Sequence, residues 1–413
     1  MTEKSKKPRL RFKGFTEAWE QRKLGDVAVK VTEKNTQNTI KETFTNSAEM
    51  GVISQRDFFD HDIAKADKID GYYIVQENDF IYNPRISAIA PCGPINRNKL
   101  GRKGVMSPLY TVFRTNNIDP LFLEWYFKSS CWYAYMYFNG DSGARSDRFS
   151  IKSELFFDMP IPSPNEGEQG RVGLLLETVN KLITLHQRKY DKFVAIKKAL
   201  LEKMFPRAGK SVPEIRFKGF TETWEQCELG KIGSTYTGLS GKSKADFGHG
   251  KGKFITYMNV FTNPIANLGT LEPIEIDDKQ NTVSVGDVFF TTSSETPDEV
   301  GMSCVLTENS LNTYLNSFCF GYRPTSRFDN YYMAYMLRSA SFRAKITFLA
   351  QGISRYNISK NKVMEIEIPI PEFDEQQKIG VYFKNIDNLI TLHQRQLEKL
   401  KNIKSALLEK MFV

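Results

Sequence analysis

Apolar positions along this 413-residue chain change period several times, and the changes occur in the same order twice. From Gln169 to Lys203 there is no proline, and Val179, Leu182, His186, Phe193, Ile196 and Leu200 fall at alternating three- and four-residue steps, broken only at Lys189. Near the C-terminal end Ile386, Leu389, His393, Leu400, Ile403 and Leu407 repeat that register. An apolar seam of this period with charged residues outside it predicts two long helices that pair through the seam. A helix of ~35 residues is roughly 50 Å long, and Pro206 ends the first because proline cannot continue a helix. Elsewhere the alternation is short. ENDFIYN and GDVFFTT read as strands, and LFLEWYFKSSCWYAYMYF has helix-like length and aromatic spacing.

The repetition goes beyond hydrophobic pattern. PRLRFKGFTEAWEQRKLG begins at Pro8 and PEIRFKGFTETWEQCELG at Pro213. LITLHQR begins at Leu182 and Leu389, and ALLEKMF at Ala199 and Ala406, each pair 207 residues apart. PIPSPNEGEQGRVG after Met159 is echoed by PIPEFDEQQKIG. Between these blocks lie two segments that differ almost everywhere, keeping only ordered landmarks. Asp119 and Asp329 each open an aromatic stretch, and Arg148-Phe149 and Arg355-Tyr356 follow. The expected fold is therefore α+β. Two mixed α/β domains are separated by two long helices packed as an antiparallel coiled coil, with pseudo-two-fold symmetry and a domain at each end of a rod.

Composition narrows the functional class. With 40% hydrophobic and 13% aromatic residues each half can bury a core, so disorder is not expected. The apolar runs are too short to span a bilayer. The polar, basic start MTEKSKKPRLRFKGF does not read as a secretory signal, which makes the cytoplasm the expected location. The five cysteines are scattered without a CxxC pair, and the four histidines are dispersed, which argues against a disulfide framework and a metal cluster. A net charge of +9 favours an anionic partner such as DNA.

Catalytic motifs fail one by one. FIYNPRIS around Asn83 approaches the Asn-Pro-Pro-aromatic motif of adenine methyltransferases but has Arg85 in place of the second proline, so Asn83-Pro84 reads as a turn. GLSGKSKADF from Gly238 approaches a phosphate loop but has Tyr236 where the first glycine belongs. GHGKGK after Phe247 reads as a basic flexible loop, either solvated or phosphate-contacting. Basic residues interleaved with small and aromatic ones supply the candidate DNA contacts: Arg97, Lys99, Arg102, Lys103, Arg145 and Arg148 in the first half, and Lys242, Lys244, Lys251, Lys253, Arg355 and Tyr356 in the second. Arginine can read guanine through two parallel hydrogen bonds and lysine can hold phosphate.

The duplicated PIP…EQ…IG…LITLHQR…ALLEKMF blocks, the repeated GFTE-x-WEQ-x-x-LG segments and the divergent stretches between them resemble the specificity subunits of type I restriction–modification systems. The resemblance covers nearly the whole chain. It implies an N-terminal segment at 1–22, target-recognition domains at 23–158 and 228–367, conserved helical regions at 159–206 and 368–413, and a repeated leading segment at 207–227. It implies a non-catalytic chain that reads one half of a bipartite double-stranded DNA site with each domain. The paired helices set the gap and dock two modification subunits, which two restriction subunits join. No cofactor is expected on this chain; S-adenosylmethionine, ATP and Mg are expected on the partners. No membrane contact is expected. A stand-alone methyltransferase and a helix-paired scaffold that does not read DNA are the rival readings.

Overall fold

The computed structural model describes residues 7–59, 69–141 and 147–413. The chain forms two compact units, Met1–His186 with Gln396–Val413, and Gln187–Arg395. Each unit contains one end of each long helix, Glu166–Lys203 and Phe373–Lys410, both of 38 residues. In the first unit Val172, Leu176 and Val179 share a core with Leu407, Met411 and Phe412. In the second, Met204 and Phe205 share a core with Ile379 and Phe383. The start of one helix thus meets the finish of the other in each unit, so the two pack antiparallel.

The seam keeps Val179, His186, Phe193, Leu200, Ile386, His393, Leu400 and Leu407 as the spacing predicts, and moves by one residue at the positions between them. A series of buried or half-buried residues runs along the first helix through Val172, Leu176, Val179, Ile183 and His186 in the first unit, then Tyr190, Phe193, Lys197 and Leu200 to Met204 just past its end in the second. On the second helix they are Ile379, Phe383, Ile386, Ile390 and His393, then Leu397, Leu400, Lys404, Leu407 and Met411. Both series step by four and three without a break. Leu182 and Leu389, expected in the seam, are 39% and 38% exposed, and Ile183 and Ile390 point inward instead. Ile403 is likewise outside, with Lys404 in its place. Adjacent apolar pairs (Leu182-Ile183 and Leu389-Ile390) fit either phase along the chain; the buried helix ends select one. Tyr190 fills the break expected at Lys189.

Polar seam positions find partners. Phe193 stacks on His393 with ring centres 5.7 Å apart. Lys197 reaches Asp387 at 2.6 Å and lies over the Tyr335 ring. The matching Lys404 donates to Asn180 Oδ1 at 2.7 Å and lies over Trp125. Amphipathic lysine stems fill seam space while their ammonium groups keep a hydrogen-bond acceptor and a ring face.

Each unit builds the same central antiparallel sheet. The strand order is Ala28–Lys30, Thr111–Thr115, Phe80–Tyr82, Ile95–Arg97 in the first unit, and Gly233–Thr237, Cys319–Pro324, Val288–Thr291, Ser303–Val305 in the second. A separate strand pair ties the leading segment to the PIP segment: Glu20–Lys23 with Pro160–Ser163, and Glu225–Glu228 with Glu367–Ile370. The remaining strands differ. The first unit adds the pairs Phe44–Ser47/Gly51–Ser54 and Tyr73–Val75/Gly104–Met106. The second adds a three-stranded sheet of Glu272–Ile274, Phe247–Ile255 and Thr313–Leu315. The aromatic run expected as one helix is two, Pro120–Lys128 and Tyr133–Asn139. Between them Ser129 Oγ and the Trp132 indole donate to the carbonyls of Tyr126 and Phe127, ending the first and turning the chain.

The repeated Glu-Gln pair at the start of each long helix locks these parts together. Glu168, fully buried, accepts from Arg11 at 2.6 and 2.8 Å and from the Trp19 indole at 3.0 Å. Glu375, also fully buried, accepts from Arg216 at 2.7 and 2.9 Å and from Trp224 at 3.0 Å. The next residue, Gln169 or Gln376, accepts from the backbone N–H of Asp119 or Asp329, the residue that caps an aromatic helix. Gly173 and Gly380 let each long helix approach that cap closely. A Cβ on Gly380 would lie 2.4 Å from Asp329 Oδ1 and 2.7 Å from the Tyr332 nitrogen.

Gly380→Ala is therefore expected to lower stability by ~1–3 kcal/mol through overpacking. Gly170→Ala, where an added Cβ meets nothing within 4 Å, is expected to raise it by ~0.5–1 kcal/mol. Thermal denaturation followed by circular dichroism separates the two, and equal shifts would show that the Gly380 contact is not limiting.

Candidate nucleic-acid interface

A basic residue can bind phosphate or a base edge only if its donors are not already committed inside the protein. This criterion divides the sequence-predicted cations sharply. In the first unit Arg97 is held by Glu124 at 2.7 Å and by Asn78, and is 13% exposed. Lys99 bonds the same Glu124 at 3.2 Å and lies 3.7 Å from Glu177. Arg102 pairs with Glu42 at 3.1 Å. Lys103 and Arg148 are exposed, with no ion-pair partner among the described residues. Arg145 lies outside the described residues.

In the second unit Lys242, 14% exposed, bonds Asp277 at 2.7 Å. Lys244 stands exposed in a short turn, Lys244–Asp246. GHGKGK, expected as a flexible loop, is part of the strand Phe247–Ile255. Glycine makes this possible. Gly248 and Gly250 have φ of +88° and +99°, and a Cβ on Gly250 would lie 2.4 Å from the Ile274 carbonyl oxygen. These glycines sit where the register shifts between Phe247 and Gly252. Beyond the shift, Lys251 and Lys253 are exposed on one face of the strand while Gly252 and Phe254 are buried, as strand alternation requires.

Arg355 donates to Ser293 Oγ at 3.1 and 3.2 Å and has no carboxylate at ion-pair distance among the described residues. Tyr356 pairs in backbone register with Ser294. The counterpart in the first unit is a bridge between Arg148 and Arg85. Sequence reasoning missed Arg85 and Ser293. Arg85 follows a pair read as a turn and Ser293 directly follows a run read as a strand, and their proximity to Arg148 and Arg355 follows from pairing between segments some 60 residues apart. Two more arginines are structural. Arg114 forks onto buried Asp79 at 2.7 and 2.9 Å, and Arg323 onto buried Asp287 at 2.8 and 2.7 Å.

Asn83 has no free amide for chemistry. Its Nδ2 donates to the Asn46 carbonyl at 2.9 Å, and its Oδ1 accepts from the Arg85 N–H at 3.0 Å. This is the hydrogen-bonding pattern of a turn. Among the described residues no three His, Cys, Asp or Glu side chains gather as a metal site, and no helix is long and apolar enough to cross a membrane.

The Asp277 carboxyl is pushed down to about 2, first by the hydrogen bond from Lys242, then by the Lys279 N–H and Gln280. A depressed carboxylate contributes above its unfolded value, near the ordinary ~4, and that contribution is lost as pH falls through the folded value. The tether is thus complete at neutral pH and released between about pH 4 and 2. Lys242→Met is expected to return Asp277 toward the ordinary carboxylate range in a carboxyl NMR titration; an unmoved titration would show that Lys242 is not the tether.

Residues 221–402 match the profile of the type I restriction modification DNA specificity domain. The chain is 22% identical over 341 residues to the type I restriction enzyme MjaVIII specificity subunit of Methanocaldococcus jannaschii, covering 75% of this chain and 73% of that one. It is 24% identical over 311 residues to the putative MjaX specificity subunit of the same organism, covering 71% and 67%. In fold it is similar to the S subunit of the type I restriction–modification system from M. genitalium, with a TM-score of 0.53 at 14% identity over 98% of this chain and 99% of the other. With two β-rich domains and two long helices packed together, the chain is similar in sequence and in fold to specificity subunits of type I restriction–modification systems.

Proposed function

We propose that the chain reads a bipartite double-stranded DNA site, one half with residues 23–158 and the other with 228–367, while the regions 159–206 and 368–413 set the distance between the halves. The observation that carries this reading is the contrast between scaffold and surface. The Glu168 and Glu375 clusters repeat residue for residue, whereas the outer strands of the two units have different topologies. Two alike mounts that present unlike surfaces suit a site made of two unlike half-sites. Lys103, Arg148, Lys244, Lys251, Lys253 and Arg355, the predicted cations without an internal carboxylate partner among the described residues, are the preferred DNA contacts.

The same reading gives the helices a second task. Outside the seam, Leu174, Leu182 and Leu185 stand exposed in the first unit, as do Val381, Leu389 and Leu392 at the matching positions of the second. Exposed apolar residues in a repeated pattern mark contact surfaces, and two equivalent stripes suit two copies of one partner. That partner is the modification subunit, which carries S-adenosylmethionine and methylates adenine in each half-site. Restriction subunits using ATP and Mg complete the nuclease. Methylation of a paired base requires flipping it from the stack, so the specificity subunit must hold the duplex while its partner acts.

Co-expression with the modification subunit in a methylation-free host, followed by long-read mapping of modified adenine, is expected to yield one bipartite motif that requires both proteins. Replacing residues 23–158 with a different recognition domain is expected to change one half-site alone. A change in both, or no motif from a complex that demonstrably assembles, would remove the bipartite reading. Inserting seven residues into both long helices is expected to lengthen the gap with the same bases read; an unchanged gap counts against the spacing role.

A further inference from the structure

The repeated leading segments hold more identity than their packing needs. Arg11 and Trp19, like Arg216 and Trp224, are accounted for by the buried glutamates. Between them the same six residues, Phe-Lys-Gly-Phe-Thr-Glu, stand at 12–17 and at 217–222. In both copies the lysine, glycine, threonine and glutamate are exposed and the two phenylalanines half-buried. Gly14 and Gly219 take φ of +101° and +102° with open space around them, so a left-handed turn and not crowding requires glycine there. The turn sets its aromatic rings against the start of the long helix. Arg171 lies over the Phe15 ring at 5.2 Å, and Lys378, at the matching position of the other long helix, over Phe220 at 4.6 Å. Phe217 meets the Tyr382 ring edge-on at 5.7 Å. In the second unit these side chains line an open cleft of about 860 Å³, walled by Phe217, Phe220, Val381 and Tyr382, with Lys218 and Lys378 beside them. Its one acidic lining residue, Asp374, is Gly167 at the matching position of the first unit. Lys13, Arg171, Lys218 and Lys378 are exposed, with no ion-pair partner among the described residues. Val381 also opens the exposed stripe of Val381, Leu389 and Leu392, as its counterpart Leu174 opens the stripe of the first unit. The cleft is therefore continuous with the helix surface assigned above to the modification subunit.

We infer that the Phe-Lys-Gly-Phe turn of each unit is a socket for an acidic segment of the modification subunit, which sets an apolar side chain between the rings and a carboxylate against the two cations. This rests on the docking reading above and extends it from the long helices to the leading segments. Buried residues recur in a duplicated chain because the same core is packed twice. Exposed residues recur when something outside touches both copies, and the two recognition domains show how far the other exposed positions have diverged. Charge gives the sign of the partner: two cations stand at each turn, and a cation over a ring face keeps donors for an outside carboxylate. The apolar walls favour protein over DNA. What two unlike half-sites share is a charged sugar–phosphate backbone, which offers nothing to fill a cleft walled by aromatic rings.

The test uses the full chain and the modification subunit, with binding followed by calorimetry and the contact mapped by crosslinking. Lys13→Glu and Lys218→Glu are each expected to weaken one of the two modification-subunit binding steps on the order of tenfold, as for a lost charged hydrogen bond, and the double variant to weaken both. Lys218→Arg keeps the charge and is expected to bind as the parent does. Both lysines are exposed, so thermal melting of the variants is expected to match the parent. A photoreactive phenylalanine analogue in place of Phe220 is expected to crosslink to a modification-subunit peptide that contains aspartate or glutamate. Parent-like binding by the double variant would overturn the socket outright. Crosslinking to a second copy of this chain would overturn it in favour of self-association, and lost DNA affinity with assembly intact in favour of a phosphate contact. A parent chain that binds no modification subunit would instead remove the docking reading on which the socket rests.

Discussion

The structure depends on burying two carboxylates. Glu168 and Glu375 have no solvent exposure, and an ionised group in that position is tolerable only with a full set of donors. Arg11 and Trp19 supply them for one, Arg216 and Trp224 for the other. Because the arginine donors come from a segment more than 150 residues earlier in each case, the requirement pins that segment to the start of a long helix. The neighbouring glutamine pins the aromatic helix of the domain, and the PIP strand pairs with the same leading segment. One buried charge thus fixes leading segment, domain and long helix as a single joint, built twice.

This joint separates mounting from reading. Everything it touches is alike in the two units, down to the glycine at each point of closest approach. Beyond it the central four-stranded sheet is still shared, and the added strands differ in number and pairing. Domains can therefore diverge in surface without disturbing the helices that carry them.

Charge follows the same division. Arg97, Lys99, Arg102 and Lys242 look like DNA contacts along the sequence but are held by carboxylates of their own unit. Arg114 and Arg323 are spent in holding buried aspartates. The positive balance of the chain thus overstates the cations available to an external anion.

The sequence by itself determined the duplication, the two long helices, the shared strands around Phe80 and Val288, and the family resemblance. These are properties of spacing and repetition, which are local or are compared directly along the chain. Tertiary structure decided the rest. Two adjacent apolar residues at 182–183 and at 389–390 satisfy either helical phase until the buried ends choose one. FGHGKGKFI carries the composition of a loop, and becomes a strand because Glu272–Ile274 and Thr313–Leu315 lie on either side to pair with it. Whether an arginine is free depends on an acid tens of residues away, as with Arg97 and Glu124 or Lys242 and Asp277. No periodicity encodes that distance, because it exists only once the chain has folded.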